Sequence, residues 1–174
     1  MTKPALSQER TDLLEMLARH RGFLIYTTRG LTAEQAAATP TVSALSIGGL
    51  IKHVAEVEDT WARFIVEGPA EQPDFSNPTP EQIAAYTNGF KMVDGETLES
   101  LLANYAEVAA RTEELVNNLP DLDATQPLPE APWFEPGATW SARRALMHII
   151  AETSQHSGHA DIIREAIDGQ KTMG

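Results

Sequence analysis

Four polar side chains able to bind metal or carry protons recur in one segment near the C-terminal end. They are His148, Glu152, His156 and His159, at spacings of 4, 4 and 3. On an α-helix, at about 100° per residue, they fall within about 80° of one another, on a single face. With Leu146 at 0°, Ile149, Ile150, Thr153 and Ala160 define the buried arc, while Arg143, Arg144, Asp161 and Glu165 mark a solvent face. Glu152 and His156 border the buried arc; His148 and His159 lie nearer the rim. Arg164 breaks the pattern, since it falls inside the apolar arc, where it needs a carboxylate partner or a route past the helix end. An upstream segment supplies His53, on the flank of an apolar stripe. Two donors at i and i+4 on one helix, with a third from a facing helix, can bind a divalent metal. Imidazole nitrogens and a carboxylate suit zinc, nickel, iron or manganese, and three protein ligands leave positions for water or substrate. The competing reading is a stripe of solvated or core polar residues, because H-x-x-x-E-x-x-x-H arises by chance in helices.

Hydrophobic periodicity supplies the elements that must position these groups. Helices are expected over about 7–28, 46–67, 97–118 and 141–168. Ser7 is placed to cap the first, Gly68-Pro69 to stop the second, and Pro120 follows the third. The connections over about 68–96 and 119–140 are long and proline-rich, and a short helix is expected over Pro80–Phe90. Strand signals are weak throughout. The expected fold is all-α: one four-helix bundle over residues 1–174 with long crossover loops, in which a cofactor site is built from side chains on facing helices.

Composition narrows the function classes. Thirteen basic against 25 acidic residues give a net charge of −12, which repels phosphate and argues against nucleic acid or an anionic membrane as partner. The chain has no cysteine, so disulfide scaffolds, thiolate zinc sites, iron–sulfur centres and cysteine nucleophiles are excluded. No apolar run is long enough for a membrane span, and the N-terminal MTKPALSQERTDLL has no signal-like apolar stretch. A cytoplasmic protein is expected.

Two stretches carry a resemblance that covers nearly the whole chain. One is Ser46-Ile47-Gly48-Gly49-Leu50-Ile51-Lys52-His53-Val54-Ala55-Glu56-Val57-Glu58, followed by Trp61. The other runs from Trp140-Ser141-Ala142-Arg143-Arg144 through His148, Glu152 and His156-Ser157-Gly158-His159 to Glu165. The sequence resembles the DinB-like family of four-helix metal-binding proteins, especially the subgroup that includes mycothiol-dependent enzymes. The resemblance implies an up-down-down-up bundle, homodimerisation, and a divalent metal, zinc foremost, held by residues matching His53, Glu152 and His156. It also implies thiol chemistry: transfer of a low-molecular-weight thiol such as mycothiol to a small electrophile. No second domain of the kind some isomerases carry is recognisable, so maleylpyruvate isomerisation is not favoured.

The expected chemistry is activation of an incoming thiol as the thiolate nucleophile. A chain without cysteine is consistent with sulfur arriving on a cosubstrate. Metal-assisted hydrolysis and a non-catalytic metal- or ligand-binding bundle are the alternatives. His159 is the candidate for orienting a ligand or handling a proton, although a solvated rim histidine reads equally well. His148 is read as a rim group and His20 as a packed core histidine. Glu56 and Glu58 are expected to face solvent, and Trp61 is expected in the core. Trp133, Phe134 and Trp140 either cover the core or wall a substrate pocket. Close helix packing, rather than nucleotide binding, is expected to explain Gly48-Gly49.

Overall fold

A computed structural model describes residues 6–71 and 77–172. Six helices and two short strands occur among these residues: α1 (Gln8–Tyr26), α2 (Ala33–Ala37), α3 (Ile47–Glu67), α4 (Pro80–Asn88), α5 (Leu98–Asn118), β1 (Thr125–Pro127), β2 (Thr139–Ser141) and α6 (Ala142–Asp168). The four long helices are the four expected ones. Each begins on a side-chain cap: Ser7, Ser46, Thr97 and Ser141 accept from the backbone N–H three residues on. Each such cap contributes about 1 kcal/mol. Gly169 closes α6 in the left-handed conformation, at φ 77°, which costs a residue without a Cβ little.

Contacts along the helices give their directions. His20 and Thr27 of the α1 region meet Ser157 and Arg164, so α1 and α6 run parallel. Lys52 meets Glu96 and Asp59 meets Arg111, so α3 and α5 also run parallel. By contrast, His53 meets His156 while Trp61 meets His148, so α3 and α6 are antiparallel. This is the up-down-down-up bundle, with α6 packed between α1 and α3, and α5 against α3 and α1. A parallel pair of successive helices, α3 and α5, requires a crossover, which is why the 68–96 connection is long.

The apolar core is divided. One cluster includes Leu24, Leu50, Ile51, Val54, Tyr105, Val108 and Ile163; the other includes Leu17, Phe64, Val116, Leu146 and Ile149. Between them, each of the four long helices turns a polar residue inward: Arg21, Glu58, Thr112 and Thr153 are all buried. Arg21 grips Glu58 with two bonds, Nε to Oε2 at 3.0 Å and Nη2 to Oε1 at 2.5 Å, and reaches Glu113 at 3.0 Å. Burial opposes the Arg21 charge, but the Glu58 contacts outweigh it and raise its pKa.

Several expectations change here. Glu58 is 0% exposed, not at the solvent, because Arg21 neutralises it inside the bundle. His20 is only half-buried and touches Phe23 edge-on; the inward position on α1 belongs to Arg21. Trp61 is half-buried rather than central to the core. Arg164, by contrast, resolves as one of its two options: it is buried, pairs with Asp168 at 2.8 Å and donates to the carbonyls of Thr27 and Arg29. Three elements were not anticipated. Helix α2 spans a single turn or so, and β1 pairs with β2 antiparallel with Gln126 opposite Trp140. Segments this short carry almost no periodic signal.

Candidate metal centre

His53 sits on α3 and Glu152 and His156 one turn apart on α6. The structure brings these three together: one donor atom from each lies within 4.8 Å of the others. His156 Nε2 is 3.6 Å from Glu152 Oε2. Two donors bound at about 2.1 Å to one tetrahedral ion stand about 3.4 Å apart, so this pair already has the separation a metal requires. The rings of His53 and His156 meet edge to face, with centroids 4.8 Å apart. The donor set of two imidazoles and one carboxylate, half-buried on a helix seam, fits a divalent transition ion.

Electrostatics favour the binding forms of His53 and Glu152. Burial, helped by the neighbouring His156, lowers the His53 pKa to about 4. His53 is therefore neutral at pH 7, and a cation displaces no proton from it. The hydrogen bond from His156 holds the Glu152 carboxyl below its ordinary value despite partial burial. Glu152 thus supplies the anionic oxygen.

The other two histidines of α6 take different places. His159 Nδ1 lies 3.3 Å from His156 Nδ1. One ring donates to the other; were His156 to be the donor, its Nε2 lone pair would be free for a bound ion in place of the hydrogen bond to Glu152. His148 Nε2 is 3.8 Å from Glu152 Oε1. Its ring is packed edge-on against Trp61 and Trp140, at 4.9 and 5.2 Å. Burial lowers its pKa.

The crossover after α4 forms one wall. Phe90 stacks on His53 with centroids 4.1 Å apart and planes at 28°. Gly48-Gly49 explains how it gets there. A Cβ at Gly49 would overlap the Phe90 carbonyl, and one at Gly48 would overlap the Met92 side chain. Gly49 admits the backbone of this crossover loop, while Gly48 admits the Met92 side chain and stands close to the Ala36 carbonyl of α2, 3.2 Å from a Cβ there, so the expected close helix packing explains part of the pair. Lys52 then pins the loop through Glu96 at 2.7 Å. Sequence reasoning missed Phe90 because its link to His53 is through space, between an irregular loop and a helix. The buried Arg21–Glu58 pair was missed as well: Arg21 continues the Leu13–Leu17 spacing, but two charged residues read as solvent-facing until each is seen to have the other as partner.

Comparisons with known proteins agree with this architecture. A family described as mycothiol-S-transferase matches residues 12–169. Among solved structures, a conserved protein from Enterococcus faecalis is similar over 95% of this chain and 100% of its own, with a TM-score of 0.68 and 19% identity. At that identity the likeness concerns the fold alone. No curated protein matches the chain. Among the described residues, no helix is long and apolar enough to cross a membrane.

Proposed function

The chain belongs to the mycothiol-S-transferase family of DinB-like bundles, and from that premise we propose that it is a divalent-metal-dependent thiol S-transferase, joining a mycothiol-type thiol to a small electrophile. The observation that carries the proposal is the convergence of His53, Glu152 and His156 from facing helices onto one point. These three residues would hold the ion, and zinc suits two imidazoles and a carboxylate. When bound, the metal lowers the pKa of an incoming thiol so that the nucleophilic thiolate is present at neutral pH.

The chain's own residues perform the remaining tasks. Glu152 would bring one negative charge to the site and so moderate the charge of a bound ion. His159, through its Nδ1 contact, fixes the ring of His156 and its tautomer. Phe90 restricts the His53 ring from one side and keeps water from that face. His148, held by two indoles, stands beside Glu152 where it can accept or return the proton released by a thiol. The same donors would serve metal-assisted hydrolysis, but the family and a chain that brings no thiol of its own favour a thiol cosubstrate.

The test combines metal content with turnover. Purified protein is expected to contain one divalent ion per chain and to conjugate mycothiol to a model electrophile. His156→Ala should lose both while keeping its helical circular dichroism. A metal-free wild type with full activity would refute the proposal, and so would a metal-loaded protein that hydrolyses esters but conjugates no thiol.

A further inference from the structure

Helix α4 adds nothing to either apolar cluster. None of its residues is buried, and Ile83 and Tyr86 are 53% and 74% exposed. Its N-terminus explains why it forms: Thr79 and Gln82 make a capping box, and Pro80 presets the first turn. What it carries is an apolar stripe of Ile83, Tyr86 and Phe90, at spacings of 3 and 4. The last member stacks on His53, and Tyr86 meets Phe90 edge to face with centroids 5.5 Å apart. Tyr86 is thus two ring contacts from the triad, with most of its surface in solvent. Glu56 lies three residues beyond His53 on α3, and its Oε2 comes 3.5 Å from where a Cβ on Gly89 would stand. Phe90, Tyr86 and Glu56 therefore border one corner, between α3 and the end of α4.

Reach decides what this corner meets. A thiolate sulfur lies about 2.3 Å from a zinc ion, and the carbon it attacks lies about 3–3.5 Å from the sulfur. The rest of an electrophile must then rest on groups that adjoin the triad. Toward the start of α6 the space is taken: Trp61 stacks on Trp140, and both pack edge-on against His148 beside Glu152. His159 stands against His156. Among the described residues, the flank that joins contact with the triad to exposed aromatic surface is the Phe90–Tyr86 corner. Two rings at a steep angle offer an arene both a face and an edge. Charge narrows the class further. Lys52 is engaged by Glu96, and a divalent ion with Glu152 and one thiolate is neutral, so Glu56 sets the sign of the corner and disfavours an anion. We infer that Phe90 and Tyr86 form the subsite for the electrophile, with Tyr86 as a specificity-determining residue, and that the electrophile is an uncharged aromatic compound. With a benzylic halide, the thiolate sulfur forms the new bond to carbon, the halide leaves with the electron pair of the broken carbon–halogen bond, and the thiol's proton goes to water. The inference rests on the S-transferase reading for the reaction, but its binding test does not.

The probe is nitrobenzene, an uncharged arene that the thiol does not consume, titrated into the full chain, metal-free and zinc-loaded, while backbone amide chemical shifts are followed. Saturable binding is expected in both forms, with the largest shifts at Tyr86 and Phe90. Tyr86→Ala should bind it about three- to tenfold more weakly, as expected for one lost aromatic partner, and Tyr86→Phe should bind it as wild type does. Benzenesulfonate should bind more weakly than nitrobenzene, and Glu56→Gln should narrow that difference. In turnover with mycothiol, Tyr86→Ala should lower kcat/KM for benzyl chloride by a similar factor relative to that for iodoacetamide. No saturable binding, shifts remote from α4, equal binding by Tyr86→Ala, or benzenesulfonate bound as tightly as nitrobenzene would overturn the inference. A chain that binds nitrobenzene through Tyr86 but transfers no thiol would keep the subsite and refute only the S-transferase reading.

Discussion

The imidazole of His53 is the residue on which pH dependence turns. Its pKa falls from 6.5 to about 4 in the fold, through burial and the proximity of His156. Between these values the unfolded chain binds a proton that the native chain does not, so stability rises with pH across that window. The contribution is complete above about pH 6.5 and is lost as pH falls to about 4. Thermal unfolding of metal-free protein between pH 4 and 7 should therefore show a steeper loss for wild type than for His53→Gln. Parallel curves would contradict the assignment of a buried neutral imidazole. His159→Ala should leave the fold intact and weaken metal affinity about tenfold, the usual effect of losing a hydrogen-bond partner behind a ligand; a competitive chelator titration measures it. At this scale the sequence was informative where donors share a helix. The i, i+4 spacing placed Glu152 and His156 together, and the resemblance singled out His53 across the seam. What spacing could not reveal was Glu58 inside the bundle. An acidic side chain reads as solvent-facing unless its buried partner, Arg21, is recognised at the same time.

At the scale of elements, α3 and the crossover after α4 form one device. The crossover is seated by Gly49 under the Phe90 carbonyl, by Met92 over Gly48 and by the Lys52–Glu96 pair. Phe90 reaches His53 only because the backbone comes this close. Gly49→Ala favours the helix by propensity, by about 1 kcal/mol, yet it must push the loop away. It should destabilise the protein by about 1–3 kcal/mol net and weaken metal binding as the Phe90 stack opens. Denaturant unfolding and metal titration of this variant would show both effects, and a stabilised variant with unchanged metal affinity would contradict them. The long helices and their caps were readable, because apolar residues repeat at 3–4 positions and a serine or threonine precedes each start. The β1–β2 pair was not. Three residues per strand leave no alternation to detect, although their pairing positions Trp140 against Trp61 and His148.

Over the whole molecule, a polar layer divides two apolar clusters, and the donor triad lies on the α3–α6 seam at the same height. Arg21 from α1 and Glu58 from α3 tie diagonally opposed helices together, so the layer holds the register of the bundle against sliding. Replacing one partner leaves a buried charge: Arg21→Met should cost about 3–5 kcal/mol in denaturant unfolding. The double change Arg21→Met with Glu58→Leu should recover most of that loss, since an apolar pair needs no neutralising partner. If the double variant were no more stable than the single one, the pair would not be the source of the cost. The net charge of −12 gives the chain an acidic balance that repels phosphate. The absence of cysteine means that any thiol at the triad must come from outside the chain.

Whether external sulfur meets a metal at the triad can be observed directly. Protein loaded with Co(II) in place of the native ion, titrated with mycothiol, would develop a sulfur-to-metal charge-transfer absorption if the thiol is activated there. The account predicts that this band appears and saturates at one thiol per chain, and that it is absent in His156→Ala. A Co(II) spectrum unchanged by the thiol, or a chain that takes up no Co(II), would contradict it.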